Sequence, residues 1–172
     1  HFASNKDAYD RLLKSGEEKF RVYNVGAPQL DEIKKHQIIT DQNLTKKYKN
    51  INLKNFFLVV FHPVTEEFAL TKINIRKLID ALKKFNTQKI WILPNNDAGS
   101  NMVKDEILKR RDNDSLIFPN LAREIYLGLL KKCKLLIGNS SSGIIESPSL
   151  NKFSINIGNR QHQRYQSEMT IN

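Results

Sequence analysis

Apolar positions follow two alternating rhythms along the chain. Short unbroken runs, of which "NFFLVVFHP" (55–63) is the clearest, have the length of a strand covered on both faces. Ile75, Leu78, Ile79 and Leu82 in "TKINIRKLIDALKKFN" instead recur at the spacing of a helix with one buried side. The same reading predicts a helix starting at Ser4 in "SNKDAYDRLLKSG", with Ala8, Leu12 and Leu13 at helical spacing and Gly16 as its stop. It predicts "FRVYNVG" as a strand, "PQLDEIKKH" as a helix opened by Pro28, and "TDQNLTKKYKN" as a weaker, polar helix or linker. Beyond residue 86 come the strand and polar loop "KIWILPNNDAGS", a helix near 100–111, and the strand "SLIFPN". The helix "LAREIYLGLLKKC", the strand "KLLIG", a helix after three serines and the strand "FSINIG" follow. Strands alternating with longer helices imply crossover connections in a parallel sheet, so the expected fold class is α/β, a doubly wound Rossmann-like domain.

Composition narrows this picture. At 172 residues the chain suffices for one domain with a real core, or for a large part of a two-domain protein. It opens on His1 with neither an initiator Met nor a basic-then-apolar leader, and is expected to be a piece of a longer chain. With 40% apolar residues and no run near the roughly 18 needed to span a bilayer, a soluble, cytoplasmic protein with no membrane partner is expected. A lone Cys133 excludes a disulfide framework. Twenty-eight basic against 18 acidic residues give a net charge of +10, which raises nucleic acid as a partner. The lysines are dispersed ("KKYKNINLK", "KKFNTQK", "KKCK") and no aromatics alternate with them, so a solvated surface is expected and nucleic acid is not. The same excess attracts small anions.

In doubly wound sheets, ligands sit beyond the carboxyl ends of the strands. Past successive strands lie His62, Pro63 and Thr65; Asn95, Asn96, Asp97, Gly99 and Ser100; Asn120; Asn139 to Gly143; and Asn159 with Arg160. In "GNSSSG", Ser140, Ser141 and Ser142 between Gly138 and Gly143 either cap a helix or cradle an anion at its N-terminus, where small side chains admit phosphate to the unpaired N–H groups. Glu146, one turn onward, is placed for vicinal hydroxyls such as those of ribose, or simply answers the helix dipole. His62 can donate to a diphosphate or relay protons, or be a structural histidine. The "PNNDAGS" loop can contact sugar hydroxyls or form an Asx turn and cap, and Arg160 can approach a ligand or lie on the surface.

Taken in order, "FHPVTEE", "LPNNDAGSNM", "PNLAREIYLGLLKKCKLLIGNSSSGIIESPS" and "NIGNRQHQR" resemble the successive motifs of the UDP-N-acetylglucosamine 2-epimerase family. The opening "HFASNKDAYDRLLKSGE…YNVGAPQLDEI" is similar to that family's passage into its second domain. The hydrolysing branch is the nearer one: the other typically has "HRREN" where this chain has "HPVTEE", and "DSGGxQEE" where it has "NSSSGIIE". The resemblance implies the C-terminal half of a glycosyltransferase-B-like fold. Residues 1–22 would end the N-terminal domain, and 23–172 would form the nucleotide-binding domain, lacking its last helices.

It further implies that Ser140 and Ser141 contact the diphosphate, with Ser142 and Gly143 shaping the loop, and that Glu146 holds the ribose. His62 would be catalytic, beside the diphosphate or sugar; Asn120 and Leu121 would border the uracil; Asn96 and Asp97 would lie near the sugar, with Arg160 closing in from the last strand. The implied reaction removes the sugar C2 proton with loss of UDP, then adds water to the glycal. The product is N-acetylmannosamine or a related epimer, of use in sialic acid-type biosynthesis. No cofactor or metal is implied, the acid–base residues would belong to the other domain, and the full-length protein is expected to be a homo-oligomer that acts on a UDP-sugar. A glycosyltransferase of the same architecture and a basic nucleic-acid-binding module are the alternatives.

Overall fold

The computed structural model describes residues 1–35 and 38–172. At its start, β1 (Phe2–Ala3) leads into α1 (Lys6–Lys14), and β2 (Tyr23–Asn24) pairs parallel to β1 in a small separate sheet. Asn5 caps α1, its side chain accepting the Ala8 N–H at 2.8 Å, so the helix begins just after the expected Ser4. Gly16, at φ 99°, follows its end as expected. The strand expected over "FRVYNVG" shrinks to two residues because Lys19–Arg21 first closes a 3₁₀ turn.

Pro28 opens α2 (Pro28–Lys35) as expected; His36, placed in the same helix by the sequence pattern, lies outside the described residues. The polar stretch that follows is a helix and no linker: α3 (Asp41–Lys47) is capped by Thr40, whose hydroxyl accepts the Asn43 N–H at 3.3 Å, and it is anchored by the fully buried Leu44.

Then come β3 (Phe56–Val60), a 3₁₀ segment (Thr65–Leu70), α4 (Thr71–Leu82), β4 (Gln88–Ile92), α5 (Ser100–Arg110) and β5 (Leu116–Phe118). These are followed by α6 (Arg123–Lys132), β6 (Leu135–Gly138), α7 (Ser142–Ser149), β7 (Ser154–Asn156) and β8 (Thr170–Ile171). The six strands from β3 to β8 are all parallel, in the order β5-β4-β3-β6-β7-β8. The chain steps outward from β3 to β5, returns through α6 to place β6 beside β3, and then steps outward the other way. Strand order therefore reverses between β3 and β6, and it is at such a reversal that doubly wound sheets open a crevice.

The continuous apolar run of β3 has a direct packing cause. Phe57, Val59 and Phe61 face one layer, where they meet Ile75, Leu78, Ile79 and Leu82 of α4 and Val103 and Ile107 of α5. Phe56, Leu58 and Val60 face the other, against Leu44 and against Ile125, Leu129, Leu130 and Cys133 along α6. With both faces covered, no position of β3 can be polar without burying an unpaired group. Burial also pushes the Cys133 thiol up to about 12, which makes it a packing residue without thiolate character.

Candidate functional site

At the reversal, the carboxyl ends of β3, β4, β5 and β6 and the first turns of α6 and α7 enclose a cleft of ≈ 410 Å³. His62, Asn95, Asn120, Arg123, Tyr126, Ser140, Ser141, Ser142 and Glu146 line it. Four strand-end loops and the starts of two helices, with Gln29 of α2, thus supply one cavity, whereas the Asn159 and Arg160 set after β7 stays outside its lining.

The turn between β6 and α7 is built on two glycines with different duties. Gly138 has φ 139°, and a Cβ there would lie 1.9 Å from the Val60 carbonyl oxygen, so only glycine lets β6 approach the end of β3. Gly143 lies on the other side of the turn, where a Cβ would meet the Ser154 Cβ at 3.3 Å. Its carbonyl accepts the Ser154 hydroxyl at 2.6 Å, which seats α7 on β7. Gly143 therefore shapes the loop from behind.

The three serines divide the remaining work. Ser140 holds the turn: its carbonyl accepts the Gly143 N–H at 3.0 Å and its hydroxyl accepts the Ser142 N–H at 3.3 Å. Ser142 is buried, and its Oγ takes the Tyr126 hydroxyl proton in a hydrogen bond. Ser141, at the N-cap, makes no side-chain cap bond. Of these three serine hydroxyls, only that of Ser140, just before the N-cap, thus takes a helix N–H, and the start of the eight-residue α7 faces the cleft with its partial positive charge.

Glu146, 7% exposed, stands one turn into α7 and pairs through Oε1 with Arg123 Nη2 from the start of α6. The Arg123 guanidinium lies 6.0 Å from the Tyr126 ring centre. His62 lies across the cleft, its backbone held by the side chain of Asn139: the His62 N–H donates to Oδ1 at 2.7 Å, and Nδ2 donates to the His62 carbonyl at 2.7 Å. Burial pushes the imidazole down from its ordinary 6.5 to about 4; Arg160 pushes the same way and Asp97 partly opposes. At neutral pH His62 is thus an uncharged group with one donor and one acceptor.

A family model described as UDP-N-acetylglucosamine 2-epimerase matches residues 1–171. The chain belongs to the UDP-N-acetylglucosamine 2-epimerase family. Among curated relatives, it is 34% identical over 172 residues to a UDP-N,N'-diacetylbacillosamine 2-epimerase (hydrolyzing) of Legionella pneumophila, covering 99% of this chain and 46% of that one. It is 33% identical over 171 residues to the UDP-N-acetylglucosamine 2-epimerase of Neisseria meningitidis, covering 99% and 45%. The chain thus spans about half the length of these curated relatives. The fold matches the crystal structure of UDP-GlcNAc 2-epimerase from Neisseria meningitidis bound to UDP-GlcNAc with a TM-score of 0.75 at 18% identity, over 91% of this chain and 43% of that one.

Within this epimerase-family cleft, the sequence-predicted residues fall into three groups. His62, Asn120, Ser140, Ser141, Ser142 and Glu146 line the cavity together. Asn96 and Asp97 are exposed and outside its lining, where Asn95 stands instead, although Asp97 is near enough to act on His62. Gly143, Leu121 and Arg160 border the site without lining it. The Leu121 N–H is taken by the Asn120 side chain at 2.8 Å, and Arg160 Nη1 donates to the Asn139 carbonyl at 3.1 Å. The N-terminus of α5 is less open than "PNNDAGS" suggests. Gly99, at φ 92°, is overlaid by Pro63 and Phe68, and a Cβ there would meet the Pro63 Cβ at 3.1 Å.

Arg123, Tyr126 and Gln29, which lines the cleft from α2, are what the sequence reading does not single out, and it names Asn139 only within the strand-end set, with no role for its side chain. Arg123 and Tyr126 carried one signal, polar positions three apart in the first turn of a helix that follows a carboxyl-end loop. Among the described residues no cluster of three His, Cys, Asp or Glu is placed to hold a metal ion, and no helix is long and apolar enough to cross a membrane.

Proposed function

We propose that this chain is the UDP-binding half of a hydrolysing UDP-N-acetylglucosamine-type 2-epimerase. Residues 1–22, with which Tyr23–Asn24 is paired, form the passage from the other half, and the six-stranded unit is the nucleotide domain. One observation carries the reading: His62, Asn120, the serine turn and Glu146, drawn from three different strand ends and one helix, line a single cleft at the reversal of strand order.

In this reading the diphosphate sits on the N-terminus of α7, with Ser140 and Ser141 hydroxyls as added donors. Glu146 accepts from the ribose hydroxyls, and the uracil lies by Asn120 and Leu121. The other half removes the proton from C2 of the sugar; the electron pair forms the C1–C2 double bond as the bond from C1 to the UDP oxygen breaks. Negative charge then builds on the departing diphosphate, where preorganised N–H and O–H dipoles stabilise it most. Neutral His62, beside the diphosphate, donates a hydrogen bond without needing to be protonated first. Water adds across the glycal to release the 2-epimer. Names of relatives that include the word hydrolyzing, together with "HPVTEE" and "NSSSGIIE", support this branch.

The test is to incubate the full-length protein with UDP-N-acetylglucosamine in deuterated water, with no acceptor. Free UDP and a free 2-epimeric sugar carrying deuterium at C2 are expected. Accumulation of the UDP-linked epimer would place the protein in the non-hydrolysing branch, and no turnover without an acceptor would point to a glycosyltransferase.

A further inference from the structure

Asn139 follows β6 where strand order reverses, and all its polar groups are engaged. Besides the two bonds to the His62 peptide, its N–H donates to the Val60 carbonyl at 3.1 Å, and its own carbonyl accepts from Arg160 Nη1 at 3.1 Å and Gln161 Nε2 at 2.8 Å. It is 1% exposed. Val60 and Gly138 are the last paired residues of β3 and β6. Beyond them the chains leave for α4 on one face of the sheet and α7 on the other, so backbone pairing has to stop. A primary amide carries the same donor and acceptor as a peptide group, and the Asn139 side chain supplies one more rung where the backbone cannot. Serine is too short to make both bonds, and alanine makes neither.

His62 is the residue this rung holds. Arg160 from the loop after β7 and Asp97 from the loop after β4 act on its imidazole through their charges, and it shares the cleft with Arg123 and Glu146. Its Nδ1 is buried and, among the described residues, has no hydrogen-bond partner. A buried polar atom left in this state is sensitive to small displacements, because any shift changes whether water or a ligand satisfies it.

We infer that Asn139 is a positioning residue: by clasping the His62 peptide and gathering Arg160 on its carbonyl, it holds the imidazole at a set distance from the serine turn. The functional consequence rests on the UDP-sugar reading; the positioning itself does not. Because the clasp is made by a side chain, it can be removed without touching any group that lines the cleft.

The experiment is a histidine NMR titration of the full-length protein, with His62→Gln used to assign the signal. In the wild type, the His62 signal is expected to titrate near 4. In Asn139→Ala it should move up by at least about one pH unit toward the ordinary range, as the released peptide lets water reach the ring. Asn139→Ser, a milder change, replaces it should the alanine variant fail to fold, and should move the signal in the same direction. A second readout is UDP affinity: Asn139→Ala should weaken it several-fold in the wild type but not in a His62→Ala background, because one residue acts through the other. A His62 titration that stays in place, or an equal loss of affinity in both backgrounds, overturns the inference. A wild-type protein that binds no UDP would sink the UDP-sugar reading instead, with the titration still deciding the role of Asn139.

Discussion

Arg123 and Glu146 form an ion pair inside the cleft, joining the first residue of α6 to the middle of α7. The carboxylate is nearly enclosed while the arginine side chain is 30% exposed, so the pair both relieves a buried charge and fixes Glu146 beside the serine turn. Arg123→Ala is expected to destabilise the protein by about 2–3 kcal/mol, the cost of leaving that carboxylate without its ion partner. Urea unfolding of the variant and of Arg123→Ala with Glu146→Gln checks this: the second change should restore much of the loss, and no restoration would refute the pairing as its cause.

Glu146 also makes a ligand prediction. If it accepts from the ribose hydroxyls, the full-length protein prefers UDP to 2′-deoxy-UDP by about tenfold, the worth of one charge-assisted hydrogen bond. Glu146→Ala should lose most of that preference. Calorimetry with both nucleotides measures it, and an unchanged ratio would remove Glu146 from the ribose site.

His62 links stability to pH. The folded imidazole sits at about 4 against 6.5 when unfolded, so between these values the unfolded chain takes up a proton that the folded chain refuses. The stabilisation is complete above 6.5 and is lost as pH falls toward 4. Because the ring borders an open cleft, about 1–3 kcal/mol is expected over that window. Urea midpoints should fall with pH more steeply in the wild type than in His62→Gln; equal slopes would contradict the assignment.

The two glycines of the serine turn should respond unequally. Gly138→Ala drives a Cβ into the backbone oxygen of Val60 at a φ that L residues rarely adopt, and should destabilise the fold by more than about 4 kcal/mol. Gly143→Ala meets only the Ser154 side chain at 3.3 Å and should cost about 1–2 kcal/mol. Thermal unfolding of both variants tests the order, and the reverse order would contradict the close approach at Gly138.

Much of this site was legible because its physics is local. A buried parallel strand must be apolar throughout, a helix must repeat at 3.6, and the carboxyl edge of a doubly wound sheet collects small and polar residues. The "FFLVV" run, the Ile75–Leu82 stripe and the serine turn follow from those rules. The long-range pairings did not follow. Asn139 meets His62 across 77 positions, and Arg123 meets Glu146 across 23, contacts that only the sheet order creates. The two-residue β1, β2 and β8 carry too few positions to show a period of two, and pairing partners define them. Asn96 is the same residue type as Asn95 and Asp97 is its acidic counterpart, yet both fall outside the cleft, a difference of loop path that composition does not encode.

In the proposed function the turn of Ser140 and Ser141 at the head of α7 carries the diphosphate of UDP, and calorimetry with UDP and uridine on the full-length protein isolates that contact. Ser140→Ala with Ser141→Ala should weaken UDP binding by about 10- to 100-fold, the loss of one or two hydrogen bonds to a charged group, and leave uridine binding unchanged. Equal loss for both ligands, or none for UDP, would contradict it.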